Sequence, residues 1–279
     1  MSRRTSFPLA AALILGLLVL PACHRSAAPA SGPKIATTTS YLEAAAHDLL
    51  GDQLTVLRLA EPGTCPGHFD IRPSQVVELR QCRALLLFDF QKPLDAKFAG
   101  AETNSPAVAE VALRGGMCRP DSYLSACRQI AEQLVTLGLL ARTNSEIRLQ
   151  AVAARLDVLS REATNRVMQA HLAGLPVIAS AHQRDFCDWL GLKVVATFRA
   201  ADTASIAEIE EAIDAGKLGQ VKLVIANLPE GRRTADALAE HLKAKVVVFE
   251  NFPGLHDGRV SFDSMVQSNL GALLQSAEP

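Results

Sequence analysis

The chain predicts an α/β fold: two Rossmann-like lobes with mainly parallel sheets, joined by one long helix. Three observations carry that prediction. Strand-like and helix-like segments alternate in each half of the mature chain, the pattern of parallel sheets with crossover helices. The run Ala84–Phe88 is apolar without a break, as a strand covered on both faces must be. Between the halves, Asn144–Leu172 contains no Pro or Gly, and Leu149, Val152, Leu156, Leu159, Ala163 and Val167 recur at spacings of three and four. That is the apolar stripe of an amphipathic helix. At ~1.5 Å per residue it would run ~40 Å, the width of a small domain, so it most simply crosses from one lobe to the other.

The elements follow in order. Lys34–Thr39 reads as a strand, Tyr41–Leu50 as a helix and Leu54–Leu59 as a second strand. A polar Pro/Gly loop, Glu61–Ile71, leads to a helix over Pro73–Gln81, opened by Pro and Ser. Asp121–Leu140 is helical, with Asp121 or Ser122 as its cap. After Gly174 the alternation resumes: strands at Val177–Ala179, Lys193–Thr197, Val221–Ala226 and Lys245–Phe249, helices at Ser205–Ala215, Arg232–His241 and Ser261–Gln275. The domain plan is a signal peptide over 1–22, a tether over 23–33, an N-terminal lobe over 34–143, the linking helix over 144–172 and a C-terminal lobe over 173–279. No internal repeat is visible.

The N-terminus sets the compartment. Arg3 and Arg4 precede a thirteen-residue apolar run, Pro8–Leu20, followed by Pro21-Ala22-Cys23. A basic region, a short apolar core and a small residue form a secretory signal. The run is too short to span a bilayer's ~30 Å core. A cysteine just past the apparent cut resembles a bacterial lipobox, in which the thiol of Cys23 carries the lipid; Pro21 is unusual there, and simple secretion with a free Cys23 is the alternative. The Ala/Ser/Pro-rich His24–Pro33 segment reads as a flexible tether. The expected location is the periplasm or the outer face of the cell membrane, held by a lipid anchor.

Composition narrows the function. With 28 basic and 29 acidic residues, no field points to nucleic acid. With 10 Phe, 2 Tyr and 1 Trp, a sugar- or base-stacking site is poorly supplied. Of six cysteines, five remain if Cys23 is lipidated, and an odd set cannot be wholly paired. Cys82, Cys127 and Cys187 read as packed core thiols.

The loop after the second strand carries Cys65-Pro66-Gly67-His68-Phe69-Asp70. A thiol, an imidazole and a carboxylate then lie at the carboxyl end of a sheet, where open α/β sheets bind ligands. Thiolate and imidazole suit zinc and other borderline metals. In the second half, Val177–His182 ends a strand and opens a helix, so His182 occupies the equivalent place.

These residues carry a resemblance. The chain is similar to the metal-binding receptors of bacterial ABC importers for zinc and manganese. The likeness rests on Pro62-Gly63, His68, Pro73 and Ser74, the apolar strand Ala84–Phe88, the long helix, His182 ahead of Gly191-Leu192, and Lys245–Val248. It implies a metal held between two lobes and passed to an ABC permease, by a receptor acting as a monomer and not an enzyme. In that family His68 matches the first ligand and His182 the third. The second, normally a histidine, falls in Gly115–Asp121, where Cys118 or Met117 stands instead. The late acid falls at Glu250 or Asn251. The expected ligand set is therefore His68, His182, Cys65, Cys118 and Glu250, with zinc as the cargo and nickel, cobalt, copper or manganese as alternatives. Cys65 and Cys118 could instead form a disulfide. Two rival functions use the Cys65-Pro66-Gly67-His68 loop: an extracytoplasmic metal-dependent hydrolase and a thiol oxidoreductase. The first lacks a His-Glu-x-x-His signature; the second lacks a local resolving cysteine.

Overall fold

The computed structural model describes residues 34–51, 55–64, 71–91 and 105–277. Its element order is β1 (Lys34–Thr37), α1 (Ser40–Leu50), β2 (Thr55–Arg58), α2 (Pro73–Leu79), β3 (Ala84–Phe88), β4 (Ala107–Val111), α3 (Pro120–Thr136) and α4 (Arg142–Gln169). The second half continues with β5 (Pro176–Ser180), α5 (Arg184–Trp189), β6 (Lys193–Phe198), α6 (Ile206–Leu218), β7 (Leu223–Asn227), α7 (Arg233–Leu242), β8 (Lys245–Phe249), a short β9–β10 hairpin (Leu255–His256, Arg259–Val260) and α8 (Phe262–Ala277).

Two four-stranded parallel sheets result, in orders β2-β1-β3-β4 and β6-β5-β7-β8. The two orders are the same plan, so the lobes are structural repeats. Strand β4 is absent from the sequence reading; Ala107–Val111 contains Glu110 and lies at the sheet edge, with only Ala109 and Val111 buried, so its apolar signal is weak.

The period-2 geometry of the strands sorts their side chains between cores. Ile35, Leu86, Phe88, Val177, Ala179 and Ile225 enter one large cluster shared by both lobes and by α4. Their neighbours Ala36, Leu85 and Leu87 pack under α2 with Leu79, and Ile178, Val224 and Ala226 pack under α6 and α7. Helix α4 spans 28 residues and buries Val152, Leu156, Leu159, Ala163 and Val167, the stripe read from the sequence. Its outward face is mainly polar, interrupted by exposed Ile147, Val158 and Met168, so α4 rests on the core as a strut and is not enclosed by it.

Helix starts are set locally. Thr39 Oγ1 accepts the Leu42 N–H at 3.3 Å at the head of α1, and Ser205 and Glu208 form a reciprocal capping box on α6, which satisfies otherwise orphan donors. An aromatic cluster joins the lobes. Tyr123 of α3 stacks on Phe262 of α8 with centroids 4.1 Å apart, and Tyr41 of α1 meets both edge-on. No helix among the described residues is long and apolar enough to cross a membrane. Cys23, Cys65 and His68 lie outside the described residues.

Candidate metal centre

The carboxyl ends of the strands bring several polar groups together. In the first lobe, β2 passes through Leu59 into Glu61–Thr64, a turn closed by Thr64 N–H and Oγ1 bonding to the Glu61 carbonyl at 3.2 and 2.6 Å. Gly63 adopts φ +78°, a conformation glycine takes at no steric cost, and its N–H points to Ser40 Oγ at 3.4 Å. On the far side of the 65–70 loop, Arg72 reaches back to Glu61 at 3.0 Å. Gln75 then donates to the Arg58 and Leu59 carbonyls at 3.1 and 3.0 Å. The described residues on either side of positions 65–70 are thus tied to the end of β2.

In the second lobe, β5 ends at Ser180 and a single 3₁₀ turn, Ala181–Gln183, precedes α5. His182 therefore sits on a separate turn and not on the helix itself, a small departure from the sequence reading. Its side chain is 62% exposed. Its Nε2 lies 3.5 Å from Glu230 Oε1, at the carboxyl end of β7, and Ser180 Oγ donates to Glu230 Oε2 at 2.6 Å. Glu230 is absent from the sequence reading, although the strand-end rule that selected His182 selects it too.

Cys118 is a free, buried thiol. It donates to the Glu250 carbonyl at 3.1 Å and touches Gln183 Oε1 and Asn251 Oδ1 at 3.7 and 3.6 Å. Burial pushes its pKa up well beyond the ordinary thiol range, and Gln183 only partly opposes that shift. The surrounding groups form a neutral amide network. Gln183 Nε2 donates to Asn227 Oδ1 and the Glu250 carbonyl, while Asn269 receives the Glu250 N–H at 2.7 Å and returns a bond to its carbonyl at 3.0 Å. This network fixes residue 250 and joins the first lobe's Gly115–Cys118 loop to the second lobe. Gly116 is pressed against α5: a Cβ there would lie 2.9 Å from Asp185 Cβ.

The two candidates for the late acid face opposite ways. Asn251 is buried, with its amide turned to Cys118 and Met117. Glu250 directs its carboxylate the other way, accepting Ser268 Oγ at 2.8 Å and Gly254 N–H at 3.2 Å. Its Oε1 is 3.5 Å from His256 Nε2. His256 also escaped the sequence reading, because the two-residue strand that carries it has no periodic signal.

Among the described residues no three His, Cys, Asp or Glu side chains converge as a complete metal site. Among the described residues the structure forms two separate imidazole–carboxylate pairs, His182 with Glu230 and His256 with Glu250. The remaining thiols, Cys82, Cys127 and Cys187, are buried and free; burial raises all three, Cys82 to about 11.

A family model described as ZnuA, the periplasmic zinc-uptake complex component A, matches residues 35–276. No curated protein matches the sequence. A crystal structure of ZnuA superposes with TM-score 0.69 at 16% identity, covering 88% of this chain and 100% of that one. The laminin-binding protein Lmb of Streptococcus agalactiae, described as bifunctional with adhesin and metal-transporting activity, gives TM-score 0.72 at 16% identity, with the same two coverages of 88% and 100%. A manganese-bound periplasmic metal-binding protein from Candidatus Liberibacter asiaticus gives TM-score 0.72 at 11% identity, again over 88% and 100%. At these identities the structures speak for the fold, and the family model speaks for the relationship.

Proposed function

We propose that this chain, which belongs to the ZnuA family of periplasmic zinc-uptake components, carries zinc in preference to manganese. The family's members are metal-binding receptors that serve ABC importers, and the chain is such a receptor and not an enzyme. The hydrolase and thiol-oxidoreductase alternatives find no support in that relationship. The ligands we propose are His68 and Cys65 from the first lobe and His182 and Glu250 from the second. Cys118 fits this set least well, because its thiol is enclosed among neutral amides and bonded to a backbone carbonyl.

The observation that carries the reading is His182 at the carboxyl end of β5, exposed, with Glu230 beside it at 3.5 Å. Metal-bound histidines typically have a carboxylate or carbonyl partner that orients the ring. The preference for zinc follows from donor type: imidazole and thiolate favour zinc, while manganese favours oxygen ligands. A lipid on Cys23 is the proposed membrane anchor, which mass spectrometry of the mature N-terminus would check.

The deciding experiment is elemental analysis of protein purified under reducing conditions, then competition with a chelator for zinc and for manganese. Zinc retained at one per chain, with His182→Ala weakening it sharply, is the expected result. Equal zinc affinity in wild type and His182→Ala would overturn the assignment of His182.

A further inference from the structure

We infer that His256 is a metal ligand, supplied together with Glu250 by the segment that joins β8 to the β9–β10 hairpin. This rests on the metal-receptor reading above and adds a donor to it.

Four observations support the inference. First, His256 Nε2 is buried and has no hydrogen-bond partner. A buried polar atom in a native fold is nearly always satisfied, so an orphan nitrogen is a reason to look for an absent ligand. Second, its nearest charged neighbour is Glu250 Oε1 at 3.5 Å. That is longer than a hydrogen bond. Two donor atoms each about 2.1 Å from a tetrahedral ion lie about 3.4 Å apart, so the observed separation suits two atoms that flank an ion.

Third, the residue that faces the pair is a glycine, Gly254. A Cβ at this position would lie 3.3 Å from Glu250 Oε2 and 3.7 Å from His256 Nε2. Gly254 is not among the glycines with positive φ, so the room it leaves, and not its backbone freedom, is its contribution. Fourth, the other lobe arrives at the same place. The nearest atom to a Cβ built on Gly63 is Gly254 Cα at 3.9 Å, and Gly63 opens the loop that carries Cys65 and His68. The first lobe's Glu61–Thr64 turn therefore lies against the segment that holds Glu250 and His256.

The carboxylate is already aimed. Ser268 Oγ and the Gly254 N–H hold its two oxygens, and Asn269 clamps the backbone of residue 250 on both sides. Such supporting bonds fix a ligand's orientation before the metal arrives. The pair would give the second lobe a donor set independent of the Cys118 thiol.

The test compares wild type with His256→Gln, which keeps a side-chain donor for Glu250, and with His256→Ala. Zinc affinity is measured by chelator competition, and the imidazole count at zinc by X-ray absorption on the loaded proteins. Loss of a supporting group alone typically costs about 10- to 100-fold in affinity, so loss of a ligand should cost more than about a hundredfold. The imidazole count should fall by one in both variants. If the alanine variant does not fold, the glutamine variant decides alone. Reduced affinity with an unchanged imidazole count would make His256 a positioning residue and overturn the ligand assignment. Equal affinity and equal count would overturn it outright. Wild-type protein that takes up no zinc would instead overturn the zinc reading on which the inference rests.

Discussion

Arg155 on the long helix α4 grips Asp48 on α1 with two parallel bonds, Nη1 to Oδ1 at 2.8 Å and Nη2 to Oδ2 at 2.6 Å. The same guanidinium turns its Nε to Asp263 at the start of α8, 3.1 Å away. Tyr123 Oη adds a bond to Asp48 at 2.7 Å. One side chain thus ties three helices that come from the first lobe, the linker and the end of the chain.

Removing this cation should destabilise the fold. Asp263 already sits above the ordinary carboxylate range because burial opposes its charge, with Arg155 holding it down. Arg155→Met would leave two carboxylates facing each other. Breaking a buried pair costs about 3–5 kcal/mol, and the partial exposure of Arg155 reduces this to about 1–3 kcal/mol. The sign of the pH effect is fixed: a carboxyl raised in the folded state binds a proton that the unfolded state has released. Stability therefore falls as pH rises from about 4 through the raised folded value. Urea midpoints at pH 5 and pH 7 should show a larger fall in the variant than in wild type.

The buried thiols predict an alkaline limit. Cys118, Cys127 and Cys187 are raised beyond the ordinary range and Cys82 to about 11, all chiefly by burial. A thiol raised in the folded state contributes stability below its unfolded pKa, near 8.5–9, and loses it as pH rises through the folded value. The unfolding midpoint should stay flat from pH 7 to about 8.5 and then drop. For the same reason these four thiols should resist alkylation at pH 8 in the native protein. Any rapidly labelled cysteine must then be Cys23 or Cys65, so mapping the labelled sites with and without zinc also reports on Cys65. Fast labelling of Cys118 in the native protein would contradict its burial among the amides.

Gly116 predicts a packing effect between the lobes. A Cβ there would meet Asp185 Cβ at 2.9 Å and the Phe186 nitrogen at 3.6 Å. Neither is the free end of a flexible side chain, so the loop or α5 must move. Gly116→Ala should cost about 1–3 kcal/mol, as overpacking usually does, and thermal unfolding would measure it. An unchanged midpoint would mean that the Gly115–Cys118 loop shifts freely and does not hold the lobes together.

Much of the fold was legible because its signals are local. The α4 stripe and the unbroken apolar run at Ala84–Phe88 follow from period and burial alone. That there are two α/β lobes was legible, but the strand order shared by their sheets was not, since it arises from pairing between distant segments. Among the proposed ligands, His182 was selected by the strand-end rule. Glu230 was missed because Pro229-Glu230-Gly231 reads as a plain turn. The role of Cys118 depends on Gln183, Asn251 and Asn269, which lie 65 to 151 residues away. Contacts at that separation have no local sequence signature. His256 was missed for a related reason: its significance lies in an unsatisfied atom beside Glu250, which only the folded geometry shows.

The last prediction concerns Glu230 and its effect on His182. Glu230 Oε2 accepts Ser180 Oγ at 2.6 Å, and Oε1 lies 3.5 Å from His182 Nε2. Two roles fit that placement. If Glu230 only closes the ends of β5 and β7, Glu230→Gln should be nearly silent, because the amide oxygen can still accept from Ser180. If its charge orients and polarises the imidazole of a bound metal, the neutral amide should weaken zinc binding about 10- to 100-fold. Thermal stability of the metal-free protein should change by less than about 0.5 kcal/mol, the range of substitutions that leave packing intact. We expect the second outcome, with affinity falling while metal-free stability holds. Chelator competition and metal-free thermal melts on Glu230→Gln separate the roles. Unchanged zinc affinity would confine Glu230 to the strand ends and leave His182 without a carboxylate partner.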